Sequence, residues 1–506
     1  MKLGQYILAG IISISTIGFS QTTTNYGIDS GTQGNYSSFF GNYAGNSNTA
    51  NHNTFIGSNS GQLNTTGTQN TFVGSGTGSE NSTGSYNVFV GHFSGVSNTT
   101  GQYNLFSGFY SGRLSTTGNY NVFLGSYSGY ANEGSENTFL GYKSGFGNTT
   151  GSSNVYLGYG SGIVSTTGQN NVFVGAYSGS NNSTGQYNTF IGKSAGESNT
   201  TGNQNTFLGA GTGANNTTGI DNVFTGHYSG ISNTIGSFNV FNGFYAGRFN
   251  TEGNHNVFLG NYAGYSNTTG ASNTFVGNYS GSENLTGEGN VFLGNHAGNK
   301  NTTGDSNIFT GNYSGYKNIN GIKNIFLGDR AGYENTAGSG NVFIGYNVGY
   351  NETGSDKLYI DNTDTNTPLI YGNFSTDQLG VNTNVIPTGY AFAVKGKMIA
   401  EELKIQVFPW SDFVFANDYD LPTLAEVEAF IKTHGHLMDI PNAQEVAENG
   451  IELGDMNAKL LQKIEELTLY TIEQEKELQQ QKEKNRELEE RLSKLEQVLT
   501  QNQNKQ

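Results

Sequence analysis

Between residues 37 and 354 the sequence repeats a 17-residue unit 19 times, and that period limits the possible folds more than any other feature. Counted from an Asn, the units open at Asn53, Asn70, Asn87 and onward to Asn341, with a degenerate first copy at Ser37. The copies at Ser37 and Asn121 are one residue short. A fixed period of this kind signals a solenoid or an array, in which neighbouring units complete one another's core. Position three is Phe in every copy except Tyr156, as at Phe55, Phe72, Phe123, Phe207 and Phe258. Positions five and nine are Gly throughout, as at Gly57 and Gly61, and a third Gly closes the Asn-Thr-Thr-Gly segment, as at Gly67.

Residues two to four of each unit, such as Val257-Phe258-Leu259, are β-branched or apolar and suit a short strand. Gly takes φ > 0 without a side-chain clash, so three Gly columns predict sharp corners. Strand, corner, short segment and corner make one coil of a parallel β-solenoid. Coils pair at about 4.8 Å, so 19 of them extend roughly 90 Å. Side chains alternate along a strand, so position three faces opposite to positions two and four. Position three is never polar beyond Tyr156, whereas position four accepts Ser107, Thr225, Asn242 and Thr310. The Phe column is therefore the better-buried face. One thin coil cannot bury both faces, which predicts that identical chains pack together around a three-fold axis, closing through the aromatic column.

The opening Asn, kept in 18 of the 19 copies, predicts a ladder of side-chain amides along the axis. Calcium loops need carboxylates, and this column has none. Position seven is aromatic at Tyr43, Phe93, Tyr110, Tyr127, Tyr177, Tyr228, Tyr245, Tyr262, Tyr279 and Tyr313. Such a row covers a corner or a seam between chains with its hydroxyls in water, or stacks on sugar rings. Paired Thr residues, as at Thr65-Thr66 and Thr200-Thr201, would stack as an array on one edge, an ice-binding pattern that Thr251-Glu252 and Ile319-Asn320 interrupt.

Composition fits this reading. The chain of 506 residues contains 75 Gly, 32 Phe and 30 Tyr but only 5 Pro, which excludes collagen and disfavours disorder. A net charge of −16 and the absence of a basic stripe argue against nucleic acid as a partner. The absence of Cys excludes disulfides and thiolate zinc sites. Residues 1–20 combine Lys2, an apolar run from Ile7 to Phe19, and small residues Gly18 and Ser20. That is the pattern of a secretory signal peptide cleaved after Ser20, too short for a membrane span. A mature chain secreted or held at the cell surface, without a transmembrane span, is the expectation.

After an N-terminal segment (21–36) and the repeats (37–354), the remainder divides into three parts. Residues 355–407 read as a β-rich connector and 408–452 as a small α+β module. In that module Thr423 and Glu426 form a capping box and Gly435 ends a helix. Residues 453–506 carry a heptad seam: Leu460, Ile464, Leu467, Thr471, Gln474, Leu478, Gln481, Asn485, Leu488, Leu492, Leu495 and Leu499. Steps alternating between four and three predict a coiled coil, with polar seam residues fixing its register. The seam alone leaves two or three strands open; a three-fold solenoid ahead of it favours three. His434, His436 and Asp439 lie close in sequence but lack a metal-site frame, and read as surface or packing residues.

"NTFIG" (53–57), "NVFLGSYSG" (121–129) and "NTFLG" (205–209) resemble the head repeats of trimeric autotransporter adhesins and similar repeats of bacterial and phage tail fibres. The resemblance covers about two-thirds of the chain. It implies a left-handed parallel β-roll with three chains side by side, displayed for attachment. The membrane β-barrel that anchors those adhesins has no counterpart in the final residues. "WSDFVF", "LAEVEAFI" and "NAKLLQKIEELTLY" resemble the C-terminal chaperone-like module of tail-fibre proteins, some of which cleave themselves near a Ser-Asp motif. Here Ser411-Asp412 is followed by Phe413-Val414-Phe415 and lacks the motif's basic residues. The expected protein is a non-enzymatic, cofactor-free homotrimeric fibre that attaches to a glycan or another cell-surface ligand. Self-cleavage and ice binding are the alternatives.

Overall fold

The computed structural model describes residues 23–406 and 410–503, so the proposed signal peptide lies outside the described residues. The chain divides into two compact units, Met1–Lys397 and Met398–Gln506. No helix among the described residues is long and apolar enough to cross a membrane.

The first unit is an all-β parallel solenoid. Strands β2 (Ser38–Phe40) to β20 (Val342–Ile344) are the three-residue segments centred on position three, one per repeat. Each pairs in parallel with the next in strict register, Phe207 opposite Phe190 and Phe224. Parallel pairing also extends one strand beyond each end of the repeats. β1 (Thr24–Tyr26) pairs with β2, and β21 (Lys357–Ile360) pairs with β20. β22 (Ile370–Asn373) and β23 (Gln378–Val381) then add antiparallel rungs, and β24 (Phe392–Val394) pairs in parallel with β23. The connector's strands end there; residues 395–406 form none.

Every position-three ring from Phe39 to Phe343 is fully buried within its own chain. Consecutive rings lie nearly parallel, with centroids 4.8 Å apart for Phe190–Phe207 and 4.9 Å for Phe207–Phe224. This spacing matches the strand separation, so register and ring stacking reinforce each other. The burial corrects one expectation: the Phe column is used up inside each chain and is not available to close a three-fold axis. Towards the C-terminal end the stack passes to Tyr359 and Tyr371, and the Tyr359 hydroxyl donates to Glu352 at 2.5 Å. The aromatic column thus ends in a polar tip.

The Gly columns have different causes. Gly57 has φ +130 and Gly61 has φ +55, and a Cβ on Gly61 would lie 2.7 Å from the Phe55 ring. Gly67 is not in the positive-φ region. It is Gly because a Cβ would meet the Gly84 carbonyl oxygen at 2.2 Å and Asn64 Oδ1 at 2.5 Å. The other left-handed corners mostly carry side chains, at position seven (Tyr262, φ 57) and position seventeen (Tyr103, φ 58), with Gly in a few copies such as Gly76 and Gly289. Bulky residues avoid this region, at a cost of about 1–3 kcal/mol each. Backbone pairing holds them there: Tyr262 N–H donates to the Phe244 carbonyl at 2.9 Å.

Two Asn columns line the interior. At position one, Asn70 accepts on Oδ1 from the Asn87 backbone N–H at 2.9 Å, while its Nδ2 donates to the Gly84 carbonyl at 2.8 Å. The amide-to-amide ladder expected there is stronger at position twelve. Asn81 Nδ2 donates to Asn64 Oδ1 at 2.6 Å, and Asn98 continues the row at 2.6 Å. Ser replaces Asn in this second column at Ser115 and Ser165, and at each break the preceding amide oxygen, of Asn98 and Asn148, is left without a donor. Ser165 is matched to Tyr156, the one non-Phe core ring: their hydroxyls lie 2.8 Å apart. Burial raises the pKa of the Tyr156 phenol, keeping it protonated. Ser115 Oγ has no partner among the described residues.

The second unit is helical. A 3-10 turn (Ser411–Phe415) is followed by α1 (Leu424–His434), α2 (Ala443–Asn449) and α3 (Leu453–Gln503). No strand forms between Trp410 and Gly450 among the described residues, so this module is helical where an α+β module was expected. Thr423 N-caps α1, with the reciprocal Glu426 carboxylate 2.8 Å from the Thr423 N–H, and Gly435 closes the helix at φ 75.

Two substitutions test the packing. Phe207→Ala is expected to destabilise the central coils by about 3–5 kcal/mol, read as faster hydrogen exchange in β11 to β13. Ser115→Asn gives the Asn98 carbonyl oxygen its missing donor. A gain of about 1 kcal/mol would slow exchange in the neighbouring rungs roughly fivefold.

Candidate interaction surfaces

Three outward features remain once the interior is filled. The first is the outer face of the strands. Positions two and four point away from Phe and are half-buried or exposed along the solenoid, including Val88, Val90, Leu105, Leu140, Leu208 and Val240. Scattered exposed apolar residues are ordinary, but two rows that are apolar in most rungs form an extended surface of the kind that marks an interface. They are broken by Thr at position two and by Ser107, Thr225, Asn242 and Thr310 at position four.

The second feature is the heptad stripe on α3, a helix of 51 residues. Leu460, Ile464, Leu467 and Leu492 are between 45% and 63% exposed, so these apolar seam residues are left about half uncovered by the described residues of the chain. Leu460, Ile464 and Leu467 line an apolar groove with Leu424, Val427 and Leu437 of the same unit. The first turns of α3 are instead anchored by polar contacts. Ser411 Oγ donates to the Ala458 carbonyl at 2.5 Å, Tyr419 donates to Glu466 at 2.5 Å, and Lys463 bridges Asp439 and Glu466 at 2.9 and 3.0 Å. The buried hydroxyl of Ser411 thus serves as a packing donor. His434 and His436 each place Nδ1 near a backbone carbonyl, of Phe430 and Leu437, while Asp439 binds Lys463; the three do not converge on a common point.

The third is a set of aromatic ladders on the corners. The position-seven residues named above do stack in places, with His296 at the same position joining the row: Tyr262–Tyr279, Tyr279–His296 and His296–Tyr313 have centroids 4.7, 5.0 and 5.0 Å apart with nearly parallel planes. Further rows run at position ten, Tyr316–Tyr333–Tyr350, and at position seventeen, Tyr86–Tyr103–Tyr120. The sequence signal for these rows is recurrence at the 17-residue interval, which the dominant Phe and Gly columns mask. The position-thirteen Thr hydroxyls of the proposed ice edge are tied to the coil above. Thr65 Oγ1 donates to the Ser82 carbonyl at 2.9 Å, and Thr200 Oγ1 to that of Thr217 at 3.0 Å.

No protein-family model matches the chain, and no curated protein matches its sequence.

His296 offers a pH test of the ladder. Its burial between two Tyr rings holds the imidazole pKa below its ordinary value, and its Nδ1 is buried without a partner among the described residues. The folded state therefore disfavours the protonated form. This stabilising contribution is complete above the unfolded value of about 6.5 and is lost as pH falls through the depressed folded value. His296→Tyr is expected to reduce the loss of thermal stability between about pH 7.5 and about pH 5. An unchanged pH dependence would show that the ring is not buried in solution.

Proposed function

We propose that this chain forms an exported, homotrimeric surface fibre that mediates attachment, in the manner of trimeric adhesin heads and tail fibres. The observation that carries this reading is the α3 stripe. A 51-residue helix with Leu460, Ile464, Leu467, Leu488, Leu492, Leu495 and Leu499 exposed along one seam is unfavourable alone, because helices take most of their stability from burying such a face. Coiled-coil association supplies that burial. The outer rows at positions two and four give the solenoid a matching need for identical neighbours, since a repeat array offers the same surface at every rung.

In this reading the role first given to the Phe column passes to the outer rows. Three left-handed solenoids meet through positions two and four, and α3 sets the register of the chains. Residues 1–20 direct export, and the array presents its remaining edges for binding. The strictness of the 17-residue period supports a scaffold role, because the columns that are nearly invariant are those that fill the coil or shape its corners.

Light scattering after size exclusion is expected to give three times the mass of the processed chain; the full chain is 54.1 kDa. A monomeric mass would reject the proposal. Deleting the residues after Gly450 is expected to reduce the yield of soluble trimer.

A further inference from the structure

One group of surface residues occurs twice, eight coils apart. After β5 (Val88–Val90), β6 (Leu105–Ser107) and β7 (Val122–Leu124) the corners read "GHFSG", "GFYSGR" and "GSYSGY". After β13 (Val223–Thr225), β14 (Val240–Asn242) and β15 (Val257–Leu259) they read "GHYSG", "GFYAGR" and "GNYAGY". The geometry is duplicated as closely as the letters. His92 stacks on Phe109 with centroids 5.6 Å apart at 6°, and His227 on Phe244 at 5.6 Å and 6°. Phe109 meets Tyr127 edge-on at 5.6 Å, and Phe244 meets Tyr262 at 5.6 Å. The Arg113 guanidinium lies 4.4 Å from the Tyr110 ring centroid and donates to the Tyr130 hydroxyl at 3.2 Å. Arg248 lies 4.4 Å from that of Tyr245 and donates to Tyr265 at 3.1 Å.

Even the footing repeats. The ring that begins each cluster, Phe93 or Tyr228, lies over a position-seven glycine, Gly76 or Gly211. A Cβ there would come within 2.4 or 2.3 Å of the ring.

Coil packing does not require this repetition. The buried columns constrain the Asn, Phe and Gly positions, whereas position six elsewhere varies among Asn, Ser, Ala, Lys, Asp and Tyr, and His followed by Phe in the next coil occurs only in these two places. The coils that follow the two clusters differ at the same places: Tyr142, Lys143 and Phe146 correspond to Asn278, Tyr279 and Ser282.

The chemistry of the clusters is also distinct from that of the chain around them. Phe109 and Phe244 are exposed, as are His92 and His227. The chain carries a net charge of −16, yet the quoted corner segments hold Arg and His and no carboxylate; the carboxylates of these coils, Glu133, Glu136 and Glu252, follow later in the unit, beyond position twelve. Neither arginine has an ion-pair partner among the described residues. Arg113 Nε is buried with no acceptor among the described residues. A guanidinium fixed on an aromatic face keeps donors in a planar fork suited to a carboxylate or sulfate. The exposed Phe, whose ring centroid lies 4.0 Å (Phe109) or 4.1 Å (Phe244) from that of the Tyr bearing the guanidinium, offers apolar ring surface not covered by the stacked His for the C–H face of a pyranose ring.

We propose that these two clusters are equivalent binding sites for an acidic saccharide, with Phe109 and Phe244 as stacking platforms and Arg113 and Arg248 as anion contacts. This rests on the attachment reading and specifies its ligand class. The sites stand about 38 Å apart by the strand spacing, so one polysaccharide strand can engage both and gain avidity.

The test uses the full-length protein with oligogalacturonate, hyaluronan oligosaccharides and a sulfated galactan, each beside an uncharged counterpart, measured by calorimetry. Binding of at least one acidic probe, with two sites per chain and a preference of at least tenfold over its neutral counterpart, is expected. F109A is expected to remove one site and leave the affinity of the other unchanged; F109A with F244A removes both. R113Q with R248Q is expected to abolish the preference for the acidic form. No binding by any acidic probe, or binding that survives F109A with F244A, overturns the proposal. So does dissociation of the oligomer by these substitutions, which would make the clusters a seam between chains. Adhesion of protein-coated beads to cells separates the two readings. Adhesion retained by F109A with F244A leaves attachment standing without these sites. Saccharide binding without adhesion does the reverse.

Discussion

The structure depends on one constraint: aromatic rings held in register at the spacing of parallel strands. Backbone pairing places successive position-three Cα atoms opposite one another, and the rings then stack with centroids near 4.8 Å, as for Phe224–Phe241 at 4.6 Å and Phe241–Phe258 at 4.8 Å. A one-residue slip would turn every Phe outward. Register is therefore fixed by burial at each rung, and the glycines follow from it. Gly61 faces its own Phe ring with no room for a Cβ, and the left-handed turn at that position returns the chain towards the next strand.

Apart from Ala in several copies of position eight, such as Ala195 and Ala246, the rest of the coil interior is polar, and this makes the Asn columns necessary. Thin coils leave backbone carbonyls buried at the corners, and buried polar groups need partners. Asn supplies both a donor and an acceptor from one side chain, so each amide joins a corner carbonyl to the neighbouring coil. The exceptions show the rule at work. Where Ser165 interrupts the second ladder, Tyr156 brings a hydroxyl to it; where Ser115 does so, the neighbouring amide oxygen stays orphaned.

The solenoid could be read from the sequence because its main determinant repeats without interruption: Phe at one position and Gly at two others mark strand and corner with little ambiguity. The capped helix at Thr423 and the helical character of the chain beyond Leu453 were equally legible, since both rest on local rules. Other features were not. The stronger Asn ladder lies in Asn-Thr-Thr-Gly, which reads as a turn until its side chain is seen to point inward. Left-handed corners occupied by Tyr262 or Tyr103 have no sequence signature, because tertiary pairing overrides a local preference against them. The burial of Phe within one chain followed from how tightly the corners close, and that closeness depends on Gly67 as a contact point rather than a flexible turn. The paired surface clusters were visible only at an interval of eight coils, beyond the span of the shorter repeat.

Residue-resolved hydrogen exchange across residues 37–354 tests the central claim most directly. A continuous stack predicts strong protection at the strand amides of β2 to β20, greatest in the central rungs and declining gradually towards both ends. Protection that rises and falls with each 17-residue unit, as expected of separately folded beads, would contradict it.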